Sequence, residues 1–324
     1  MDWKFCANAG FFGLRRDRFN EYQPARSLKE KLALVAQLDG VQGVELKYPF
    51  DFADLSLVRD LLDEHQLELS AVNVDTKDVR YFRNGALSAL TPEARQRAIG
   101  LLREGMDLAA EMGVDLVTTC PVMEAYDYPF QMDYFSAWDN LIESVKAVVS
   151  HRRDVTLLLE YQPNEPHAHA LLGNVGKVLH VFAEVGAPNL GANLDVGHSF
   201  AAGEAPAEAA TLLARQGRLF YIHTNDNTGD GGDWDMISGT VHFWHWLEFL
   251  YVLKQAGYTG WMGGDISPKV ISPVDAYRAN RLMVQRMTKL LERIGVEQVS
   301  ALIHQGGNIA QTYETLSSFL NVAG

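Results

Sequence analysis

The chain has 324 residues, 47% of them hydrophobic, and a formal net charge of −13. That length suits one closed α/β barrel with a small addition and buries enough core to need no disulfide staples. No basic run exceeds His151-Arg152-Arg153, no stretch reaches about 18 apolar residues, and MDWKFCANAG has no apolar signal core. A nucleic-acid partner, a membrane span and a leader are therefore not expected, and the protein is expected to be cytoplasmic.

The elements follow in chain order. Residues 5–9 read as a first strand. Ser27-Leu28-Lys29-Glu30 has the form of a capping box ahead of an apolar run, and Gly40 stands where that helix should end. Residues 43–47 and 69–74 are the next strands. Thr91-Pro92 is an N-cap followed by proline at the first helical position, with Gly113 at the far end. Residues 116–120 form the fourth strand. Cys6 and Cys120 lie in apolar runs without an activating base nearby in sequence. They read as reduced core residues of a reducing compartment. Residues 156–160, 191–195, 219–223 and 261–265 complete the set, and Ser272-Pro273 opens a helix over 273–294.

Eight strands in strict alternation with eight helices predict a parallel sheet closed into a (β/α)8 TIM barrel over residues 1–295. An open doubly wound sheet is the alternative, but no G-x-G-x-x-G follows the first strand. Residues 296–324 are expected to be a C-terminal helical extension. Within it, 301–320 could form one helix after the Gly306-Gly307 break, packing on a neighbouring subunit or closing the barrel bottom.

The last four strands deliver metal-ligating side chains at their C-terminal tips: Glu160 in LLLEYQPNEP, Asp195 and His198 in LGANLDVGH, His223 in LFYIHTNDN, and Asp265 in WMGGDIS. Each has an ordinary explanation. Glu160 could form a salt bridge, Asp195 a helix N-cap, and His223 a hydrogen-bonded core histidine. Gly263-Gly264 suggests backbone closely approached by something else. In a closed barrel, however, strands five to eight are neighbours whose C-terminal ends face one mouth. Carboxylates with one or two imidazoles then suit Mn2+, Co2+, Mg2+ or Zn2+. Asp233 and Asp235, one residue apart in a Gly-rich loop, could chelate a single ion or make a solvated acidic turn.

On these motifs the chain resembles the xylose isomerase-like TIM-barrel superfamily of aldose–ketose isomerases, ketose 3-epimerases and abasic-site endonucleases. The resemblance implies a divalent metal, Mn2+ first among the candidates, held by Glu160, Asp195, His223 and Asp265. The HTNDNTGDGGDWD stretch is similar to the rhamnose-isomerase loop. It implies a second ion on bridging Asp195, His198, Asp233 and Asp235. A homodimer or homotetramer is implied as well. EYQPNEP resembles the xylose-isomerase segment, with Gln162 where that segment has a carbonyl-polarising Lys.

The leading expectation is a metal-dependent aldose–ketose isomerase (an intramolecular oxidoreductase). It would act on an unphosphorylated sugar, because no phosphate cradle is evident, by hydride shift or through an enediolate. Glu160, Asp265 and His198 are the candidate catalytic groups; Gln162, Glu165 and Lys47 are candidate contacts to substrate oxygens. The alternatives are a one-metal ketose 3-epimerase with Glu160 and Asp265 as acid and base, and a sugar-binding or metal-buffering barrel without chemistry. A zinc endonuclease is disfavoured by the acidic chain and by the lack of His near Asn73 and Cys120. Phe11, Phe12, Tyr48, Tyr126, Tyr161 and Trp234, near strand ends, are candidates for sugar stacking or core filling.

Overall fold

The computed structural model describes residues 3–165, 168–230, 232–305 and 308–320. All eight expected strands form: β1 (Lys4–Asn8), β2 (Gly43–Tyr48), β3 (Glu68–Val74), β4 (Leu116–Thr119), β5 (Thr156–Leu159), β6 (Leu190–Asp195), β7 (Leu219–Thr224) and β8 (Trp261–Gly264). They pair in parallel in sequence order, and β1 closes the barrel by pairing with both β8 and β2. Helices cover the outside: α1 (Leu28–Val35), α2 (Leu55–His65), α3 (Pro92–Glu111), α4 (Tyr134–Val149), α5 (Val175–Val185), α6 (Pro206–Arg215), α7 (Phe243–Gln255) and α8 (Pro273–Ile294). With both faces covered, strands read as continuous apolar runs, and Leu157, Leu158 and Leu159 are all fully buried.

Period-two alternation places the chemistry. A small apolar cluster of Cys6, Ala71, Leu158, Tyr221 and Trp261 packs inside the barrel. Two residues further along each strand the side chain points the same way, one layer nearer the mouth. From β1, β3, β5 and β7 that layer receives Asn8, Asn73, Glu160 and His223, and from β8 it receives Gly263. The barrel interior thus changes from apolar to polar in a single step. Tyr221 closes the floor, its hydroxyl 2.9 Å from Cys6 Sγ and 2.8 Å from Ser70 Oγ.

Local signals behave as their chemistry dictates. Ser27 and Glu30 form the reciprocal capping box. Thr91 and Ser272 occupy N-cap positions, but neither side chain makes a capping hydrogen bond, so proline at the first helical position carries the start signal alone. The close approach expected at the paired glycines is real. A Cβ on Gly264 would lie 2.8 Å from the Tyr277 ring, and one on Gly263 would lie 3.0 Å from the Tyr221 ring.

The extension holds two helices rather than the single one expected over 301–320: α9 (Val296–His304) and α10 (Ile309–Ser318). Gly306 and Gly307, outside the described residues, fall between them. The pair packs on α7 and α8 of its own chain, with the Tyr313 ring edge-on to Trp244 at 5.3 Å. A cavity of about 190 Å³ remains there, lined by Trp244, Tyr251, Leu291, Val299 and Leu316 among others. Among the described residues no helix is long and apolar enough to cross a membrane.

Candidate metal centre

Glu160, Asp195, His223 and Asp265 converge as the strand-end argument requires. Each is buried, and one ligand atom from each lies within 4.8 Å of all the others. His223 Nδ1 is 2.9 Å from Asp265 Oδ2, 3.3 Å from Glu160 Oε2 and 3.8 Å from Asp195 Oδ2. Ligands about 2.0–2.3 Å from one ion span at most about 4.6 Å, so small side-chain adjustments suffice to close on a cation. Three carboxylate oxygens and one imidazole nitrogen fit a hard or borderline divalent ion.

A surrounding set of polar side chains aims these groups. Glu45 Oε2 lies 3.0 Å from His223 Nε2, and Glu45 Oε1 accepts from Asn73 Nδ2 at 2.7 Å and Thr118 Oγ1 at 2.8 Å. Asn193 Nδ2 donates to Glu160 Oε2 at 2.9 Å, and Asn225 Nδ2 donates to Asp195 Oδ2 at 2.8 Å. Asp195 Oδ1 accepts from the His198 backbone N–H at 2.8 Å, capping the short helix Val196–Ala201. The N-cap and the cluster member are one residue, with one oxygen for each task. Glu45, Asn73, Asn193 and Asn225 were not among the sequence candidates. For Glu45, Asn73 and Asn193 the signal was a polar residue inside an otherwise apolar strand; Asn225 follows β7 in a loop.

The electrostatics are those of many acids sharing a dry space. Burial lifts Asp195 to about 7, and burial raises Asp265 as well. Burial would also raise Glu160, but the charges of His223, His198 and Lys77 hold it below the usual range. Burial disfavours charge on His223, yet Asp265, Glu160 and Glu45 together raise its pKa well above the ordinary value. His198 behaves alike: burial opposes its charge, and Asp195, Asp233 and Glu160 outweigh it. Without a cation, the cluster retains protons that a divalent ion would displace.

His198 stands beside this cluster, with Nδ1 3.3 Å from Glu160 Oε1 and Nε2 3.3 Å from Asp233 Oδ2. Neither contact has hydrogen-bond alignment, so both ring nitrogens are buried without a partner. Asp235, at φ 45°, is reached by Asn225 Nδ2 at 3.5 Å. The loop carrying both aspartates is pinned at its base, where Asp226 and Met236 exchange backbone hydrogen bonds of 2.8 and 2.9 Å.

The cluster opens into a pocket of about 240 Å³ whose lining includes Asn8, Phe11, Arg15, Lys47, Lys77 and Cys120 besides the acids. Gln162 lines it and donates to Glu165 Oε1 at 3.0 Å; Glu165 itself is exposed and does not line the pocket. Lys47 is ion-paired to Asp75 at 2.7 Å. Of the aromatic candidates, only Phe11 lines the pocket. Phe12 packs in the core against Tyr277, and the Tyr161 hydroxyl donates to Glu204. Lys77, missed in the sequence, enters from the loop after β3. Its ammonium makes no ion pair or hydrogen bond among the described residues. Cys120 is buried and free, as expected, and its thiol lies near Glu160 and His198.

A family model described as xylose isomerase-like TIM barrel matches residues 32–287. The chain is 26% identical over 204 residues to the xylose isomerase of Thermus thermophilus, a match covering 61% of this chain and 53% of that protein. The chain thus spans about half the length of this curated relative. Solved structures of the same fold include a D-tagatose 3-epimerase-like protein, with TM-score 0.71, 18% identity and coverage of 90% of this chain and 100% of that one. An L-ribulose 3-epimerase gives TM-score 0.68, 14% identity and coverage of 94% and 99%. The 3-keto-D-glucoside 4-epimerase from E. coli gives 0.66, 14%, and coverage of 88% and 99%.

Proposed function

The chain belongs to the xylose isomerase-like TIM barrels, and from that premise we propose that it interconverts an aldose and a ketose, on an unphosphorylated sugar, with Mn2+ as the preferred divalent ion. The observation that carries this reading is the convergence of Glu160, Asp195, His223 and Asp265 at the floor of a polar pocket. A cation held there supplies Lewis-acid polarisation of two adjacent sugar oxygens. Lys77 brings an unpaired positive charge to the same pocket and stabilises negative charge as it develops on the substrate carbonyl oxygen. Gln162, tethered to Glu165, presents a neutral amide that orients a hydroxyl without adding charge. Asn8 Nδ2, 3.5 Å from Asp265 Oδ1, and Lys47 complete the polar wall against which the sugar is held. In a direct hydride shift no residue takes a proton from carbon. In the enediolate route Glu160 or Asp265 takes it.

A ketose 3-epimerase is the second reading, favoured by the compact four-residue set with Glu160 and Asp265 both within 3.3 Å of His223 Nδ1. Two carboxylates so placed can remove and return a proton at one carbon. Turnover of a panel of aldoses and ketoses in D2O with Mn2+, read by NMR, separates the two. Interconversion between C1 and C2 supports the isomerase; deuterium at C3 with an inverted centre supports the epimerase. Absence of turnover across the panel with metal bound would sink both.

A further inference from the structure

Three cations line the pocket: Arg15, Lys47 and Lys77. Lys47 is ion-paired to Asp75, and Lys77 serves the reacting carbonyl. Arg15 is left without a role. It opens the two-stranded hairpin that follows β1, where its cross-strand partner is the neutral Gln23, whereas Arg16 pairs with Glu21. Asp17, the nearest acid in sequence, is engaged elsewhere. It accepts from the Phe19 and Asn20 backbone N–H groups at 2.7 and 3.0 Å and from the Tyr22 hydroxyl at 2.9 Å. The Arg15 guanidinium lies over the Phe11 ring, 4.0 Å from its centroid, and Phe11 lines the same pocket. Arg15 Nε is buried with no acceptor, and among the described residues no side-chain hydrogen bond or ion pair reaches the guanidinium. A guanidinium does not shed its proton. A permanent charge with an orphaned donor in a pocket wall is costly unless an anion meets it.

We propose that Arg15 receives a carboxylate carried by the substrate, so that the substrate is a sugar acid with its reacting carbons at the strand-tip cluster and its acid group at Arg15. A planar carboxylate matches the guanidinium fork in two parallel hydrogen bonds. The Phe11 ring beneath holds the guanidinium in place and adds a cation–π attraction. A phosphate is the poorer match. One guanidinium, with Lys47 already paired, is a weak counter-charge for a dianion, and no Gly-rich cradle of backbone N–H groups accompanies it. The inference rests on the reading of this pocket as a sugar site and narrows its substrate class.

The test sets aldohexuronates against the aldohexoses of the same configuration on the full chain loaded with Mn2+, by turnover and by titration calorimetry. The expected result is a kcat/KM and an affinity roughly 10- to 100-fold higher for the acid of a pair. Arg15→Met brings that ratio close to unity, chiefly through KM, and Arg15→Lys keeps part of it. Equal use of acid and neutral sugar by the wild type overturns the subsite and leaves the isomerase reading standing. A preference that survives in Arg15→Met overturns it too, since the carboxylate then sits on the metal. A hexose 6-phosphate preferred over the uronate overturns the choice of carboxylate. If no sugar is turned over, the isomerase reading fails, while calorimetry still decides the subsite by the same ratio.

Discussion

Glu45 and His223, 178 positions apart in sequence, meet across the barrel with Glu45 Oε2 3.0 Å from His223 Nε2. A carboxylate on Nε2 fixes the proton there and leaves Nδ1 turned toward Asp265, Glu160 and Asp195. Glu45 is therefore the residue that decides which imidazole nitrogen a cation meets. Glu45→Gln should lower metal affinity about 10- to 100-fold while the fold is kept. Chelator competition on the purified variant checks it. An unchanged dissociation constant would refute the orienting role.

Lys77 should matter to turnover and not to loading. Lys77→Met is expected to reduce kcat by roughly 10²-fold, as expected for loss of one charge-stabilising donor, with bound metal per chain unchanged. A drop in metal content with kcat preserved per ion would place Lys77 outside the reacting pocket.

Asp195 sets a pH signature. Its carboxyl is raised by burial from 3.8 in the unfolded chain to about 7 in the folded one. A raised value means the folded state holds the proton more tightly. The associated stability is complete below 3.8 and is lost as pH rises through 7. His198 and His223, also raised, add in the same direction. Glu45 and Glu160, held low, lose their contribution only on acidification below the ordinary carboxylate range. Metal-free protein should thus be less stable at pH 8 than at pH 6, by about 1 kcal/mol for each such proton lost. Saturating Mn2+ should raise Tm more at pH 8 than at pH 6. Melting curves with chelator and with Mn2+ at the two values decide it.

Gly264 is a packing test independent of chemistry. Gly264→Ala drives a methyl to 2.8 Å from the buried Tyr277 ring, itself packed on Phe12 at 4.7 Å. Destabilisation of about 1–3 kcal/mol is expected in urea unfolding. A neutral result would mean that Tyr277 can retreat.

Much of this was legible because a closed parallel barrel writes itself plainly. Each strand is an apolar run between helical segments, and four strand tips carried ligand-type residues whose only common location is one mouth. What stayed hidden depends on register across the barrel. Glu45 precedes Leu46 and Lys47 in a strand where nothing local says that it faces His223. Asn193 and Asn225 look like ordinary strand and loop polar residues until the neighbouring strands are aligned. Lys77 reaches the pocket from a loop, whose path no periodicity reports. Cys120 was read by composition, which sees an apolar neighbourhood and not the imidazole brought in by the short helix after β6. The tail was misjudged for a different reason: a glycine pair separates two short helices where length alone favoured one.

The pairing of Asp226 with Met236 closes the loop between them at its own base. Loop length past such a clasp costs stability only slowly. In the loop so closed, the exposed positions 228 and 230 are therefore open to replacement, while Asp233 and Asp235 line the pocket and are kept. Changes at such positions should leave β7 and α7 in their places. A library confined to those positions would vary the loop at the pocket mouth while leaving Glu160, Asp195, His223 and Asp265 untouched.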